Sequence, residues 1–147
     1  MDIENLLRSF NDHKVKFVII GAAAFPIYGY ARTTLDIDIF IKPTRINAQN
    51  CLEALSKCGY DISDLTIEQL LSKKTLFRQY YLEIDIHPYV KGITFETIWK
   101  HRARKKLGKV LTNFASLDDL IKMKKAAGRF KDRQDLKVLL RLREKIC

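Results

Sequence analysis

Cysteine is scarce in this chain, with three residues in 147. An odd and small number cannot build a disulfide framework, and Cys51 and Cys58 recur at helical spacing as core thiols do. A reducing, cytoplasmic setting is the expectation. Long apolar runs are missing too: no stretch approaches the ~18 residues that cross a bilayer, and the first dozen residues read as a partly acidic amphipathic helix with no signal-peptide core. No membrane partner is expected. Acidic residues thin out toward the C-terminus, where residues 100–147 hold 5 Asp/Glu against 16 Lys/Arg, whereas residues 1–99 hold 12 against 11. The net charge of +10 is therefore C-terminal and suits a polyanion such as nucleic acid or a nucleoside triphosphate, although a solvated lysine-rich face has the same composition. At 147 residues the chain is expected to form one domain, spanning 1–147, around one core.

What is present centres on residues 15–41. Val15-Lys16-Phe17-Val18-Ile19-Ile20 reads as a buried strand running into Gly21, where backbone can turn sharply and approach a ligand. Ala22-Ala23-Ala24 then opens a short helix with no Ser, Thr, Asp or Asn to cap it, and Pro26 fits its first turn. Uncapped N–H groups suit phosphate, while a small-residue turn chosen for tight packing would read the same. Further on, Leu35-Asp36-Ile37-Asp38-Ile39-Phe40-Ile41 alternates. It places Ile37, Ile39 and Ile41 on one face and Asp36 and Asp38 on the other, with Cβ atoms about 7 Å apart. Two carboxylates on one face repel, and a hard divalent cation would offset the cost; a solvated edge strand with a polar outer face is the simpler alternative.

A second alternation, Leu82-Glu83-Ile84-Asp85-Ile86-His87, follows a strand at Leu76 to Tyr81. It sets Glu83, Asp85 and His87 on one face. If it lies beside the Asp36 strand, Asp85 adds a third carboxylate, or Glu83 does so in a register shifted by two. His87 is expected at the strand end near the site, not as a ligand, because hard cations prefer oxygen.

The remaining segments read as scaffold. Ile3, Leu6, Leu7 and Phe10 stripe a helix over residues 2–12. Thr44 caps a helix whose apolar face is Cys51, Leu52, Leu55 and Cys58 and which Gly59 ends; Thr66 and Gln69 form a capping box over Ile67 to Ser72. A short helix follows from Phe95 to Trp99, and the basic run from His101 to Lys106 reads as solvent-facing charge on a hairpin. Ser116 and Asp119 open a helix with Leu117, Leu120, Ile121 and Ala127 in one stripe, and Lys124 falls inside that stripe. A lysine there either snorkels or meets an anion. Replacing it with Met should preserve packing and stability while lowering triphosphate affinity about tenfold or more. The final helix carries Leu136, Leu139, Leu140 and Ile146.

Ile20-Gly21-Ala22, the short helix, Arg32-Thr33-Thr34 and Asp36-Ile37-Asp38 together resemble the signature of the DNA polymerase β-like nucleotidyltransferase superfamily in its minimal form. One departure is Ala22, which stands where a second Gly or a Ser is usual, so a phosphate-holding hydroxyl is missing. The run Leu120-Ile121-x-x-Lys124-x-x-Ala127-Gly128-Arg129-x-Lys131-Asp132-x-x-Asp135-Leu136 resembles a C-terminal motif of one branch, which includes nucleotidyltransferase toxins of toxin-antitoxin pairs.

The resemblance implies an α+β fold: a small mixed β-sheet, helices packed on one face and a C-terminal helix pair closing the site. It implies metal-dependent transfer of a nucleoside monophosphate from an NTP to a hydroxyl of an RNA end, such as a tRNA, or of a protein side chain. Asp36, Asp38 and Asp85 would hold Mg²⁺ or Mn²⁺. Gly21, Ala22, Arg32, Thr34, Lys124 and Arg129 would bind the nucleotide, with Lys124 also acting in catalysis. The alternative is a non-catalytic relative that binds nucleotide, RNA or a protein partner as a regulatory module, which Ala22 favours.

Overall fold

A computed structural model describes residues 2–31, 36–79 and 82–146. The chain runs α1 (Asp2–Asp12), β1 (Phe17–Ile20), a 3-10 helix (Gly21–Tyr28), β2 (Asp36–Ile41), α2 (Arg45–Lys57), α3 (Ile67–Ser72), β3 (Thr75–Gln79), β4 (Leu82–His87), α4 (Phe95–His101), β5 (Ala103–Leu107), β6 (Val110–Phe114), α5 (Leu117–Ala127) and α6 (Arg133–Ile146), with a single 3-10 turn at Phe130–Asp132. The fold is α+β, as expected.

Side-chain caps set the helix starts. Thr44 accepts from the Asn47 N–H, Ser116 accepts from the Asp119 N–H, and Thr66 and Gln69 exchange both bonds of a capping box. The segment after Gly21 has no such cap. It is a 3-10 helix in place of the α-helix its alanines would support, with Pro26, which donates no N–H, inside it; Gly29, at φ +97°, ends it in a left-handed turn.

Among the described residues six strands form one mixed sheet in the order β3-β4-β2-β1-β6-β5. β1 pairs antiparallel with β2 and parallel with β6, while β2 pairs parallel with β4. The apolar face of β2, with Ile37, Ile39 and Ile41, is buried. Phe17, which pairs with Ile41, meets Phe10 of α1 edge to face, so α1 covers this side, and α2 packs against α1. Asn47, buried in the first turn of α2, rivets that helix to the strand ends by bonding the N–H and C=O of Lys16 and the C=O of Lys42.

Helical cover extends to the other face as well. Phe40, on the carboxylate side of β2, packs edge to face on Phe95 of α4. The far end of that face is thus closed, and its near end, at Asp36 and Asp38, stays open. Three further expectations shift. Ile146 is exposed and takes no part in the apolar face of α6, and Ala127, although in line with Leu120, is also exposed. The strand expected over Leu76 to Tyr81 begins at Thr75, and Tyr80 and Tyr81 lie outside the described residues. No helix among the described residues is long and apolar enough to cross a membrane.

Candidate active site

Register decides which carboxylates meet. β4 runs parallel to β2 with Asp85 beside Asp38 and Glu83 beside Asp36. Neighbours across a ladder share a face, so four carboxylates stand on one side of two strands. The Asp36 carboxyl is raised above its ordinary range, first by desolvation, then by the hydrogen bond its protonated form gives to Glu83 and by the charge of Glu83, and further by the charges of Asp38 and Asp85. Arg78 on β3 pairs with Glu83 and draws part of that charge outward. His87, also on this face, contacts Asp38 Oδ1 through Nε2 at 2.9 Å and so orients that carboxylate. It stands beside the site, as expected for the strand end.

Gly21 has φ +69°, and a Cβ built there would lie 2.8 Å from Asp38 Oδ2. The turn after β1 therefore touches the carboxylate directly, and only a residue without a side chain allows both the backbone angle and the approach. Gly21→Ala should displace Asp38, lower the melting temperature and remove metal-dependent stabilisation. A variant with an unchanged melting curve and unchanged metal response would show that this contact has no functional weight.

The opposite wall comes from the C-terminal helix pair. Lys124 Nζ lies 2.9 Å from Asp132 Oδ1 and 3.2 Å from Asp135 Oδ2, and 5.7 Å from the centre of the Phe25 ring. Gly128, in a left-handed conformation, ends α5 and lets the 3-10 turn bring Asp132 back beneath Lys124. Arg129 clamps the same aspartate, Nε to Oδ2 at 2.7 Å and a terminal N–H to Oδ1 at 3.1 Å. The hydrogen bond from Arg129, with the hydrogen bond from and the charge of Lys124, outweighs burial and holds the Asp132 carboxyl down to about 2. Arg129 is in turn pushed up, chiefly by the hydrogen bond to Asp132 and in smaller part by the charges of Asp132 and Asp38, so it feels both walls. Tyr30 donates to Asp135 at 2.9 Å while stacking on Phe25, which ties the 3-10 helix to α6.

The two walls enclose a cleft of about 460 Å³ that holds Gly21, Ala22, Asp36, Asp38, Asp85, Lys124 and Arg129 together, a volume in the range of small-ligand sites. Lys74, Lys131, Asp132 and Asp135 also line it. Arg32 and Thr34 lie outside the described residues. A slightly larger concavity of about 490 Å³, with Lys14, Lys16, Lys42 and Arg45, opens at the other ends of β1 and β2; it holds no carboxylate, and the reactive groups belong to the smaller cleft.

Lys124 falls on the packed face, and it meets an anion in place of snorkelling to solvent. Its partners are Asp132 and Asp135, so removing it takes a shared cation from two buried carboxylates, which argues against the expectation that Met would preserve stability. Tyr30 and Lys74 were not anticipated, because neither falls in a periodic pattern. Among the described residues no three His, Cys, Asp or Glu side chains draw together into an ion-holding group. The donor set is nevertheless all oxygen and crowded with like charge, a chemistry that suits a hard divalent cation.

Two solved structures share this architecture. The lincosamide antibiotic adenylyltransferase LnuA, in its lincomycin-bound crystal structure, superposes with a TM-score of 0.64 at 15% identity over 96% of this chain and 96% of that one. A Thermotoga maritima protein, TM1012, described as a nucleotidyltransferase, gives a TM-score of 0.64 at 14% identity over 95% of this chain and 90% of that one. At such identities the likeness is one of fold. No curated protein matches the chain. Family membership rests on the sequence itself: residues 1–141 match the family described as nucleotidyltransferase of unknown function (DUF6036), and the chain belongs to that family of nucleotidyltransferases.

Proposed function

We propose that this chain transfers a nucleoside monophosphate from an NTP to a hydroxyl acceptor, the acceptor oxygen bonding the α-phosphorus as pyrophosphate leaves, using Asp36, Asp38 and Asp85 as the acidic centre. The observation that carries the reading is the juxtaposition of Asp38 with Asp85 in the β2–β4 register and with the Gly21 turn. The uncapped N–H groups that follow Gly21 and Ala22 bind phosphate oxygens. Lys124 uses two of its three N–H donors on Asp132 and Asp135, which leaves one for a phosphate, and Arg129 keeps its unclamped N–H groups for the same purpose. Asp36, Asp38 and Asp85 would hold Mg²⁺ or Mn²⁺, which when bound neutralises the triphosphate and activates the acceptor hydroxyl. Asp85 accepts the proton of that hydroxyl.

The acceptor classes in view are an RNA end, a protein hydroxyl and, given that LnuA is an adenylyltransferase seen with lincomycin, a small molecule. A place in a toxin-antitoxin pair rests on the resemblance of the C-terminal motif and is tested by growth arrest on expression. The reaction is tested with NTPs labelled at the α-phosphorus, either metal, and RNA, protein and small hydroxyl compounds offered separately. Transfer of label to one of them, lost in Asp85→Asn, is expected. NTP binding with no transfer to any acceptor under either metal would replace the enzyme by the non-catalytic nucleotide-binding relative, the reading that Ala22 favours.

A further inference from the structure

Among the described residues Phe130 is the most exposed of the large apolar side chains, at 80%. It sits in the 3-10 turn between Arg129 and Lys131, both of which line the cleft, while Phe130 itself does not. Its ring therefore lies at the rim, outside the volume an NTP would fill. The Arg133 guanidinium rests over it, 4.8 Å from the ring centre.

Arg133 also begins an exposed row on α6. Arg133, Lys137 and Arg141 follow one another at intervals of four, all three are exposed, and no acidic residue stands in the row. Like charges at this spacing destabilise a helix, and a cation in the first turn opposes the helix dipole as well. Beyond the contact of Arg133 with Phe130, folding gains little from such a row. It spans about 12 Å of helix, enough to meet several successive phosphates of one strand.

We propose that Phe130 and the Arg133-Lys137-Arg141 row form a track for a single-stranded nucleic-acid acceptor, with one base stacked on Phe130 and the backbone carried along α6, so that the strand end enters beside Asp85. This rests on the transferase reading and names its acceptor class. An aromatic ring together with a line of cations is what sequence-independent strand binding uses, the ring taking any base and the cations the backbone. Acidic protein would need the cations and not the bare ring.

Binding is read by fluorescence anisotropy with short labelled oligouridylate and oligothymidylate over a salt series, without NTP. Phe130→Ala should weaken binding about tenfold and Phe130→Tyr should not. Arg133→Glu/Lys137→Glu/Arg141→Glu should weaken it more than tenfold and reduce the slope of log affinity against log salt by about 2. Phe130 is too exposed for its loss to unfold the protein, and unchanged NTP affinity confirms the site in the triple variant. Reversal of Arg104, Lys105 and Lys106 on β5 is the control and should cost less. Equal binding by wild type, Phe130→Ala and the triple variant, or a greater loss from the β5 control, overturns the track. Binding that follows the expected pattern in a protein that transfers nothing keeps the track and retires the transferase. Transfer to protein or a small hydroxyl compound without oligonucleotide binding does the reverse.

Discussion

Asp38→Asn is expected to reduce nucleotide transfer on the order of 10²- to 10³-fold, while the metal-free protein melts no lower than wild type. The first part follows from the proposed ion site: the amide lacks the negative charge that Asp38 would offer a divalent cation, a loss of several kcal/mol of charge stabilisation in the transition state. The second follows from repulsion: Asp38 raises Asp36, and an amide in its place relieves that strain while still accepting a bond from His87. Mg²⁺ or Mn²⁺ should raise the melting temperature of wild type, since a ligand bound only by the native state stabilises it, and should do so much less in the variant. Melting curves with and without metal, beside a transfer assay, decide this. Equal metal-induced shifts in the two proteins would remove Asp38 from the ion site.

Lys124→Met should have the largest effect on stability, a loss of about 3 kcal/mol. Asp132 and Asp135 side chains are 5% and 6% exposed, and Lys124 is the cation they share. Arg129 still serves Asp132, and Tyr30 still donates to Asp135, which keeps the loss at the lower end for a broken buried pair. The pH dependence has a definite sign. A carboxyl held down in the folded state stabilises it fully above the ordinary carboxylate pKa, ~3.9, and that contribution is lost as pH falls through the folded value of about 2. Without Lys124 the folded value rises, so acid unfolding of the variant should begin at higher pH. Lys124→Met/Asp135→Asn should recover much of the stability and none of the NTP affinity. A single variant that unfolds with heat and acid like wild type would mean that the pairing with Asp132 and Asp135 contributes nothing.

Much of the carboxylate wall was legible in the sequence because strand alternation assigns faces without knowledge of the fold. Asp36 and Asp38 had to share a face, as did Glu83 and Asp85. Alternation could not decide which pairs with which, since a slip of two residues preserves every face, and the parallel pairing of Asp38 with Asp85 is set by the whole sheet. Helix starts at Thr44, Thr66 and Ser116 were legible for a similar reason, being local hydrogen bonds. The partner of Lys124 was not, because it depends on the left-handed exit at Gly128 and on how the next turn folds back. Nor was the cover that α4 places over Phe40, which comes from packing between segments far apart in the chain.

β1 also bears on how the chain is made. Its one flank pairs with β2, close by in sequence, and its other with β6, where Phe114 lies beside Ile19 across most of the chain. During synthesis the apolar strand Phe17–Ile20 must wait for β6 to leave the ribosome, with one edge open to any strand that passes. Such a non-local pairing is slow to form. A message truncated before β6 would therefore yield a fragment that clumps, where one truncated within α6 would yield a sheet with β1 paired on both flanks, so the cost of a broken transcript depends sharply on where it breaks.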